Sequence, residues 1–468
     1  MPGKIIAAAA AVLYLTWGGS ALAQDEVAEP KQPPAEPTKR ERPEESIAAL
    51  EQKAAAARQE ENWIRLYGAA LQLHKRLPYA PEYMLEIIRA AAALDRRQTA
   101  YRFMLQMQQQ GLSYDLNEMP ETMGMQDAEA YQYINKLMGE AGQPAGEGRL
   151  VLSLPGSPHN LGDVVWDESR QRFLVGTRRE GSLLAVAENG EAEELLRSNE
   201  ENGMWSLDGL AIHPGSNTLW IASSASPAFA GFSTADTRRG GLFEFRLDTL
   251  EFANRYNLPA DGLQHSLGSV AVTDEGHVYV IDRMVPVIYH KRPDGDRLER
   301  YVSLPGYVAL TDVSVTPDNS RLFVADAFKG LMVIDPIAER LAPLAGPENL
   351  NQYGIYGVDY AGDSLVITQS GVQPQRLMRL KLDAAGAAIE DVKPMAVALE
   401  GFDTPGVGTI RGDSIFYFSN HGSPSGGQQM KLMATPLESG KAIEAPDMRL
   451  FKETIEKRLE KEQAEQQQ

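Results

Sequence analysis

The pattern of apolar positions changes once along the chain, near residue 148. Over residues 46 to about 137 the apolar residues recur at helical spacing, as in Trp63, Leu66, Tyr67, Ala70 and Leu71. This spacing predicts antiparallel helices joined by short turns, one of which contains Pro78 and Pro81. We therefore predict a small all-α domain over residues 46–142.

From Gly148 onward the spacing becomes strand-like, and a unit of about 45 residues repeats. The first strands of the six units are residues 163–166, 209–212, 269–272, 312–315, 357–360 and 407–410. Short strands repeated at this period are typical of propeller blades, which bury their faces only against neighbouring blades. The chain is therefore predicted to be mainly β, with a six-bladed β-propeller over residues 148–445 after the helical domain.

A segment ahead of the first blade reads as the outer strand of another blade. Residues 149–156 are a near copy of residues 300–306, which end a blade with Ser-Leu-Pro-Gly. A strand in this place has no partner unless it belongs to the last blade. We predict that residues 149–155 complete that blade and close the ring, which removes the free edges of the sheet.

The two ends of the chain are predicted to lie outside the fold. Lys4, the apolar residues 5–17 and the small residues that follow are typical of a secretory signal peptide, cleaved after Ala23. A retained membrane anchor is the alternative. Residues 24–45 are rich in proline and predict a disordered linker, and residues 446–468 predict a charged tail. We expect a periplasmic or secreted protein with no membrane span in the mature chain.

Composition restricts the chemistry and the partners. The chain has no cysteine, which leaves out disulfides, thiolate metal sites and cysteine nucleophiles. Its formal net charge of −19 repels phosphate backbones, so we expect no nucleic-acid partner. The expected partner is a small polar ligand or an envelope protein.

Part of the helical region resembles a tetratricopeptide repeat. Ile87, Ala100 and Met104 match a degenerate unit, with the small Ala100 where two helices must approach closely. Plain helical packing without a peptide-binding groove is the alternative interpretation of the same residues.

Two phrases of the propeller repeat carry a second resemblance: Asp208-Gly209-Leu210, and Thr-Pro-Asp-Asn-Ser-Arg-Leu-Phe-Val-Ala-Asp at residues 316–326. They resemble the gluconolactonase and senescence-marker-protein (regucalcin-like) family of six-bladed propellers, and NHL-repeat propellers more generally. The resemblance covers residues 149–437. It implies a divalent cation, usually calcium, held at the mouth of the central channel by Glu, Asn and Asp side chains.

The sequence departs from this family at the positions that would hold the cation. They read Gly162, Asp208, Gly268, Thr311, Tyr356 and Gly406, so only Asp208 is a recognisable ligand. Because a hard cation needs several oxygen ligands, we expect Asp312 and Asp326 to join Asp208 if a metal binds. Asp163 and Asp312 stand one residue later in their strands, and a strand bulge would be needed to bring them to the mouth.

Polar residues end every second strand, on the side of the blades where the first strands begin. They are Thr177, Ser223, Asp282, Asp326, Gln369 and either Ser419 or Asn420. With Asp163, Asp208 and Asp312 they predict a polar ring at the channel mouth that binds a polyhydroxylated ligand, a cation or a peptide. The alternative is that these side chains only line a water-filled channel.

Other residues near this mouth are candidates of a different kind. His159, His265 and His421 are candidate general bases, although each can equally be structural. The insertion at residues 223–240, which carries Phe229, Phe232, Arg238 and Arg239, reads either as a lid or as a surface loop.

Two functions remain open. The first is a cation-assisted lactone or ester hydrolase, which requires Asp208 and at least two of Asp163, Asp282, Asp312 and Asp326 to converge on one point. The second is a non-catalytic periplasmic binding or scaffold protein, which an apolar groove around Trp63, Tyr67 and Tyr101 would support.

Overall fold

The computed structural model of the protein describes residues 45–155, 161–421 and 429–441. The predicted signal peptide, nearly all of the predicted linker, the charged tail and His159 lie outside the described residues. Within the described ranges, none of the helices has both the length and the apolar character needed to cross a membrane.

Five α-helices precede the strands, as the sequence predicts. They are α1 (Ile47–Gln59), α2 (Trp63–Arg76), α3 (Pro81–Ala93), α4 (Arg97–Gln109) and α5 (Glu129–Ala141), with short 3-10 helices at Leu116–Glu118, Pro120–Met125, Pro214–Ser216 and Thr234–Asp236. The Ser46 side chain caps α1 by accepting from the Ala49 amide. Pro81 begins α3, where its missing N–H costs no helical hydrogen bond. Ile87, Ala100 and Met104 are fully buried where α3 and α4 pack together.

The strands form six antiparallel sheets, and the predicted six-bladed propeller is confirmed. Blade 1 contains β3 (Leu161–Asp167), β4 (Arg172–Thr177), β5 (Ser182–Val186) and β6 (Ala192–Arg197). Blade 2 contains β7 (Ser206–His213), β8 (Thr218–Ser224), β9 (Gly240–Arg246) and β10 (Phe252–Asn257). Blade 3 contains β11 (Leu267–Val272), β12 (Val278–Asp282), β13 (Val287–Lys291) and β14 (Glu299–Ser303).

Of the remaining blades, blades 5 and 6 each take in a strand from the segment that follows the helices. Blade 4 contains only local strands: β15 (Leu310–Val315), β16 (Leu322–Asp326), β17 (Gly330–Asp335) and β18 (Arg340–Pro343). Blade 5 contains β19 (Ile355–Ala361), β20 (Ser364–Gln369), β21 (Arg376–Leu382) and β22 (Ile389–Val397), and β1 (Ala145–Gly146) pairs with its outer edge. Blade 6 contains β23 (Gly408–Arg411), β24 (Ser414–Phe418), β25 (Met430–Pro436) and β2 (Arg149–Leu154). Blade 4 therefore differs from blades 5 and 6, each of which includes a strand that precedes blade 1 in the sequence.

The predicted closure strand is confirmed. β2 pairs antiparallel with β25, with Arg149 opposite Ala434 and Leu154 opposite Met430. Leu152 and Leu154 are buried in the cluster between blades 6 and 1, where Phe173 and Phe416 also meet. The ring is therefore joined by the N-terminal and C-terminal parts of the propeller sequence, which leaves blade 6 with four paired strands.

Five of the six inner strands carry a β-bulge close to the channel mouth, meaning the end where first strands begin and second strands end. The register of β3 shifts between Leu161 and Val164, and that of β15 shifts between Leu310 and Asp312. A bulge re-aims the side chains beside it. The bulges that Asp163 and Asp312 needed are therefore present.

The helices are attached to blade 5 through a buried polar and apolar interface. Asn351 donates from Nδ2 to the Tyr79 carbonyl (2.8 Å) and to Gln110 Oε1 (3.0 Å). Val372 belongs to the helical core, and Tyr353 packs against it. Helices and blades belong to one compact unit that begins at Ser46. The boundaries of separate helical and propeller domains stay a prediction.

Candidate functional site

The polar residues at the ends of the second strands bind the loops of their own blades. Asp282 accepts from the amides of Ser266, Met284 and Val285 through Oδ1, at 3.0 to 3.2 Å. Asp326 accepts four backbone amides, two on each oxygen, at 2.9 to 3.3 Å. Both carboxylates are fully buried. They fix the loops on either side of the strand, and both oxygens of each carboxylate already accept hydrogen bonds from the protein.

The equivalent residues of the other blades have the same role. Gln369 donates to the carbonyls of Asn351 and Tyr353 (2.8 and 2.6 Å). Asn420 donates to the Gln429 carbonyl and accepts from the Lys431 amide. Thr177 and Ser223 also bond to backbone groups of neighbouring loops. The structure therefore does not bring Asp282, Asp326, Gln369 and Asn420 together at the mouth.

The residue after each of these positions is the one that faces the mouth. Arg178 follows Thr177, Arg283 follows Asp282 and His421 follows Asn420. A Cβ added at Gly268 would lie 2.8 Å from Arg283 Nε, and one added at Gly406 would lie 2.6 Å from His421 Cβ. The glycines that replace the expected metal ligands therefore make room for these two large side chains.

Asp208 is the acidic member of this mouth cluster, which we define as Arg178, Asp208, Arg283 and His421. Its Oδ1 lies 3.4 Å from Arg178 Nε. Its Oδ2 accepts from the hydroxyls of Ser206 (3.1 Å) and Ser224 (2.7 Å). Burial raises the pKa of Asp208, and the guanidinium of Arg178 opposes that rise. Both oxygens of Asp208 are thus engaged by groups of the protein: Oδ1 by the guanidinium of Arg178, and Oδ2 by two hydroxyl groups.

The hydrogen-bond donors of Arg178 are less completely paired than the oxygens of Asp208. The ion pair with Asp208 is not a hydrogen bond, and among the described residues its buried Nε and Nη2 have no hydrogen-bond acceptor. Burial and the neighbouring Arg283 lower the pKa of Arg178 to about 10. About a quarter of the side chain, 24 %, remains exposed. A guanidinium with unpaired donors in a partly buried site is costly unless an acceptor is supplied.

His421 is uncharged in the mouth. Burial, together with Arg178 and Arg283, lowers its pKa to about 3. Its Nε2 lies 3.4 Å from the Gly162 carbonyl in blade 1. A neutral imidazole can donate from one nitrogen and accept at the other, so His421 adds hydrogen-bonding capacity without adding charge.

Below the mouth, the channel holds carboxyl groups from three blades. Asp163 accepts from its neighbour Val164 and from Leu210 in blade 2 (2.8 and 3.0 Å). Asp312 repeats this arrangement with Val313 and, in blade 5, Val358 (2.9 and 2.7 Å). Each carboxyl therefore joins two adjacent inner strands. With Asp359 they line a channel cavity of about 280 Å³.

The channel carboxyls resist ionisation. Burial, and then the charge of Asp312, raise the pKa of Asp163 to about 7. Burial raises the pKa of Asp312 to about 6, against the pull of Ser269 and two backbone amides. Burial and the other two carboxyls raise the pKa of Asp359 well above its usual range. Around neutral pH the channel therefore keeps part of its protons.

The residues predicted to hold a divalent cation do not fit one as they stand. Asp208 is paired with Arg178, and Asp326 is saturated by backbone amides. Asp312 uses both oxygens to join blades 4 and 5. In the described ranges, no group of three His, Asp or Glu side chains is arranged to hold a metal ion. The metal site stays a prediction that these contacts do not support.

Other candidates have structural surroundings. His265 lies between Asp282 (2.6 Å) and Asp261 (3.0 Å), with both ring nitrogens engaged. In the insertion, Phe229 and Phe232 pack on the core between blades 1 and 2, and the Ala230 amide donates to the Arg179 carbonyl. Arg238 and Arg239 line a separate cleft of about 880 Å³. Trp63, Tyr67 and Tyr101 are partly buried against the helical core.

Comparison with known proteins assigns no family to this chain. No protein-family model matches the sequence, and no curated protein matches it. Similar solved structures include a PQQ-bound aldose sugar dehydrogenase from Streptomyces coelicolor (15 % identity, 62 % of this chain and 98 % of that chain, TM-score 0.44). They also include a gluconolactonase from Xanthomonas campestris (12 %, 62 % and 89 %, TM-score 0.43) and a virginiamycin B lyase from Staphylococcus aureus (11 %, 63 % and 100 %, TM-score 0.41). At these identities and TM-scores, the activities of these proteins do not transfer to this chain.

Proposed function

We propose that this protein is an exported, non-catalytic binding protein, and that the mouth cluster binds the carboxylate group of a small ligand. The observation that carries the proposal is Arg178, whose buried Nε and Nη2 lack acceptors among the described residues. Arginine is suited to this role because its planar fork of donors matches the two oxygens of a carboxylate.

The charge balance of the mouth supports an anionic ligand. Arg178 and Arg283 both act on the same mouth, and each contributes to lowering the pKa of His421. Asp208, which acts on both arginines, already accepts two hydroxyl groups, and Asp163 also acts on both from the channel below. A further carboxylate, brought by a ligand, would relieve the repulsion between the two guanidinium groups. Neutral His421 and the hydroxyl groups nearby suit a ligand that also carries hydroxyls.

The alternative function is the cation-assisted lactone hydrolase implied by the family resemblance. It has weaker support, because the carboxylates that it needs are bound to backbone amides or to Arg178. Calcium titration of the purified protein, followed by calorimetry, tests it directly. Micromolar binding that disappears in Asp208→Ala would favour the hydrolase over our proposal.

The binding proposal is tested with a pair of ligands that differ in one group. D-gluconate carries a carboxylate, and sorbitol is a neutral polyol of the same length. We expect gluconate to bind and sorbitol not to bind. In Arg178→Gln the affinity for gluconate should fall about 10- to 100-fold, the usual cost of one charged hydrogen-bonding partner.

Arg246→Gln is the matched control, because Arg246 is a surface arginine of blade 2 whose ion pair is with Asp248. It should bind gluconate as the wild type does. Equal binding of sorbitol, or unchanged binding by Arg178→Gln, would contradict the proposal. Export is tested separately, by fractionating cells that express the full chain: the proposal requires the mature protein in the periplasm or medium, shortened by the predicted signal peptide.

A further inference from the structure

A second cavity lies where the helices meet blade 5. Its volume is about 280 Å³, near the lower end of ligand-binding pockets. Gln108, Leu137 and Ala141 line it from the helices, and Arg376 and Val397 line it from blade 5. The channel cavity has none of these residues in its lining.

Arg376 is the most unusual residue of this cavity. It is the largest fully buried side chain in the described part of the chain, with 1 % of its surface exposed. Nε donates to Gln369 Oε1 at 2.7 Å, and Nη1 donates to the carbonyls of Gln110 and Gly111 at 2.8 and 3.1 Å. These two carbonyls follow the last turn of α4, whose partial negative charge attracts a cation.

The charge of Arg376 is nevertheless not matched. Its Nη2 is buried and lacks an acceptor, and within the described ranges no carboxylate forms an ion pair with it. Burial lowers its pKa to about 10, so it is still charged at neutral pH. A buried charge without a counter-charge is among the most costly features a protein can keep.

A second orphaned polar group lines the same cavity. Gln108 on α4 is 3 % exposed, and its Oε1 is buried without a donor. Because a carboxylate only accepts hydrogen bonds, Gln108 can bond to one only with its side-chain amide turned so that Nε2 faces the cavity. Glu140 also lines the cavity, but it is more than half exposed and pairs with Lys136 at 3.6 Å. Apart from Gln143 and Lys441, the remainder of the lining is small or apolar, including Leu137, Ala141 and Val397.

We infer that this junction cavity is a second binding site, and that it takes the carboxylate of a small aliphatic acid. The ligand carboxylate accepts from Arg376 Nη2, and its short carbon chain packs on the apolar lining. Arg376 already joins blade 5 to the end of α4, so a bound acid would strengthen the contact between helices and ring. This site is independent of the mouth cluster.

Propionate and propionamide test the inference, since they have the same size and differ in charge. Calorimetric titration and melting curves of the full-length protein, at matched ionic strength, should show binding and a raised Tm for propionate only. In Arg376→Gln the affinity should fall at least about tenfold. Because loss of Arg376 can also weaken folding, Ala141→Leu serves as a second variant that fills the cavity without touching the guanidinium. It should remove the response to propionate while the protein stays folded.

Gln108→Glu provides a test in the opposite direction. It places a carboxylate in the cavity, so this variant should melt above the wild type and no longer respond to propionate. Arg178→Gln, the mouth variant, should respond as the wild type does. A propionate response that persists in both Arg376→Gln and Ala141→Leu, a response equal for propionamide, or no response at all would overturn the inference. A response lost only in Arg178→Gln would assign the acid to the mouth cluster and leave the junction cavity without a ligand.

Discussion

Arg178 of blade 1 and Asp208 of blade 2 form an ion pair across the channel mouth, with Nε and Oδ1 3.4 Å apart. The pair joins the residue after a second strand to an inner strand of the next blade. Asp208 is also the one recognisable metal ligand among the positions where the sequence was expected to supply them. At the mouth of this propeller, the carboxylate of Asp208 therefore pairs with the guanidinium group of Arg178.

Loss of the acid from this pair should leave Arg178 without its counter-charge. We expect Asp208→Asn to lower the free energy of unfolding by about 2 to 4 kcal/mol, as for other partly buried ion pairs that lose one partner. Urea unfolding measures it. Asp248→Asn removes the acid of a surface pair in the same blade and should cause no measurable change. Equal changes in the free energy of unfolding for the two variants would show that the partly buried Arg178–Asp208 pair stabilises the fold no more than a surface pair does.

The loop-binding role of Asp326 can be separated from any ligand role. Asp326→Ala leaves four buried backbone amides without acceptors, and we expect the free energy of unfolding to fall by about 3 to 5 kcal/mol. Asp326→Asn keeps one acceptor oxygen and should lie between Ala and wild type. Gluconate affinity should be unchanged in Asp326→Asn. A large loss of gluconate affinity in Asp326→Asn would show that Asp326 contributes to the binding site.

The channel carboxyls predict how stability depends on pH. Asp359 has a folded-state pKa raised above its unfolded value, so the folded protein holds more protons than the unfolded one between about pH 4 and the raised pKa. Stability should therefore fall as pH rises through this window. Asp163 and Asp312, with pKa values raised to about 7 and about 6, add to the same slope.

Asp359→Asn removes the charge with little change of shape. We expect the variant to be more stable than the wild type at pH 8 and to show a shallower decline between pH 5 and pH 8, measured by urea unfolding. The decline should not vanish, because Asp163 and Asp312 remain. An unchanged slope would mean that Asp359 ionises without cost.

The closure strand offers a matched pair of leucines. Leu154 is 1 % exposed between blades 6 and 1, whereas Leu150 of the same strand is 56 % exposed. Leu154→Ala should lower the free energy of unfolding by about 2 to 5 kcal/mol. Leu150→Ala should change it by less than about 0.5 kcal/mol. Similar effects of both would show that the strand does not pack as described.

The period of the apolar strands was sufficient to predict the ring, the six blades and the closure strand. The site was harder to predict for a physical reason. The polar residues that end the second strands stand out in the sequence, but their regularity reflects a repeated loop structure: each of Asp282, Asp326 and Gln369 satisfies backbone groups of its own blade.

Arg178 and Arg283 stand at a position of the repeat where the residue type is not repeated from blade to blade. The position that they occupy reads Arg178, Ser224, Arg283, Ala327, Ser370 and His421 around the ring, so it follows no pattern. The available signal was indirect. Gly162, Gly268 and Gly406 stand where ligands were expected, and a large side chain that follows the second strand of the same blade fills the space above two of them. Arg376 was likewise beyond prediction, because its surroundings come from residues 110 and 111, far away in the sequence.

The closure strand also imposes an order in time. β2 is synthesised before any blade, but its partner β25 is the last strand of the ring to leave the ribosome. Until residues 430–436 exist, β2 has no strand to pair with, and the outermost blade presents an open edge to other chains. A nascent chain interrupted shortly before this point would carry five blades and an unpaired edge, a form prone to aggregation. The ring can therefore close only after the ribosome has synthesised β25.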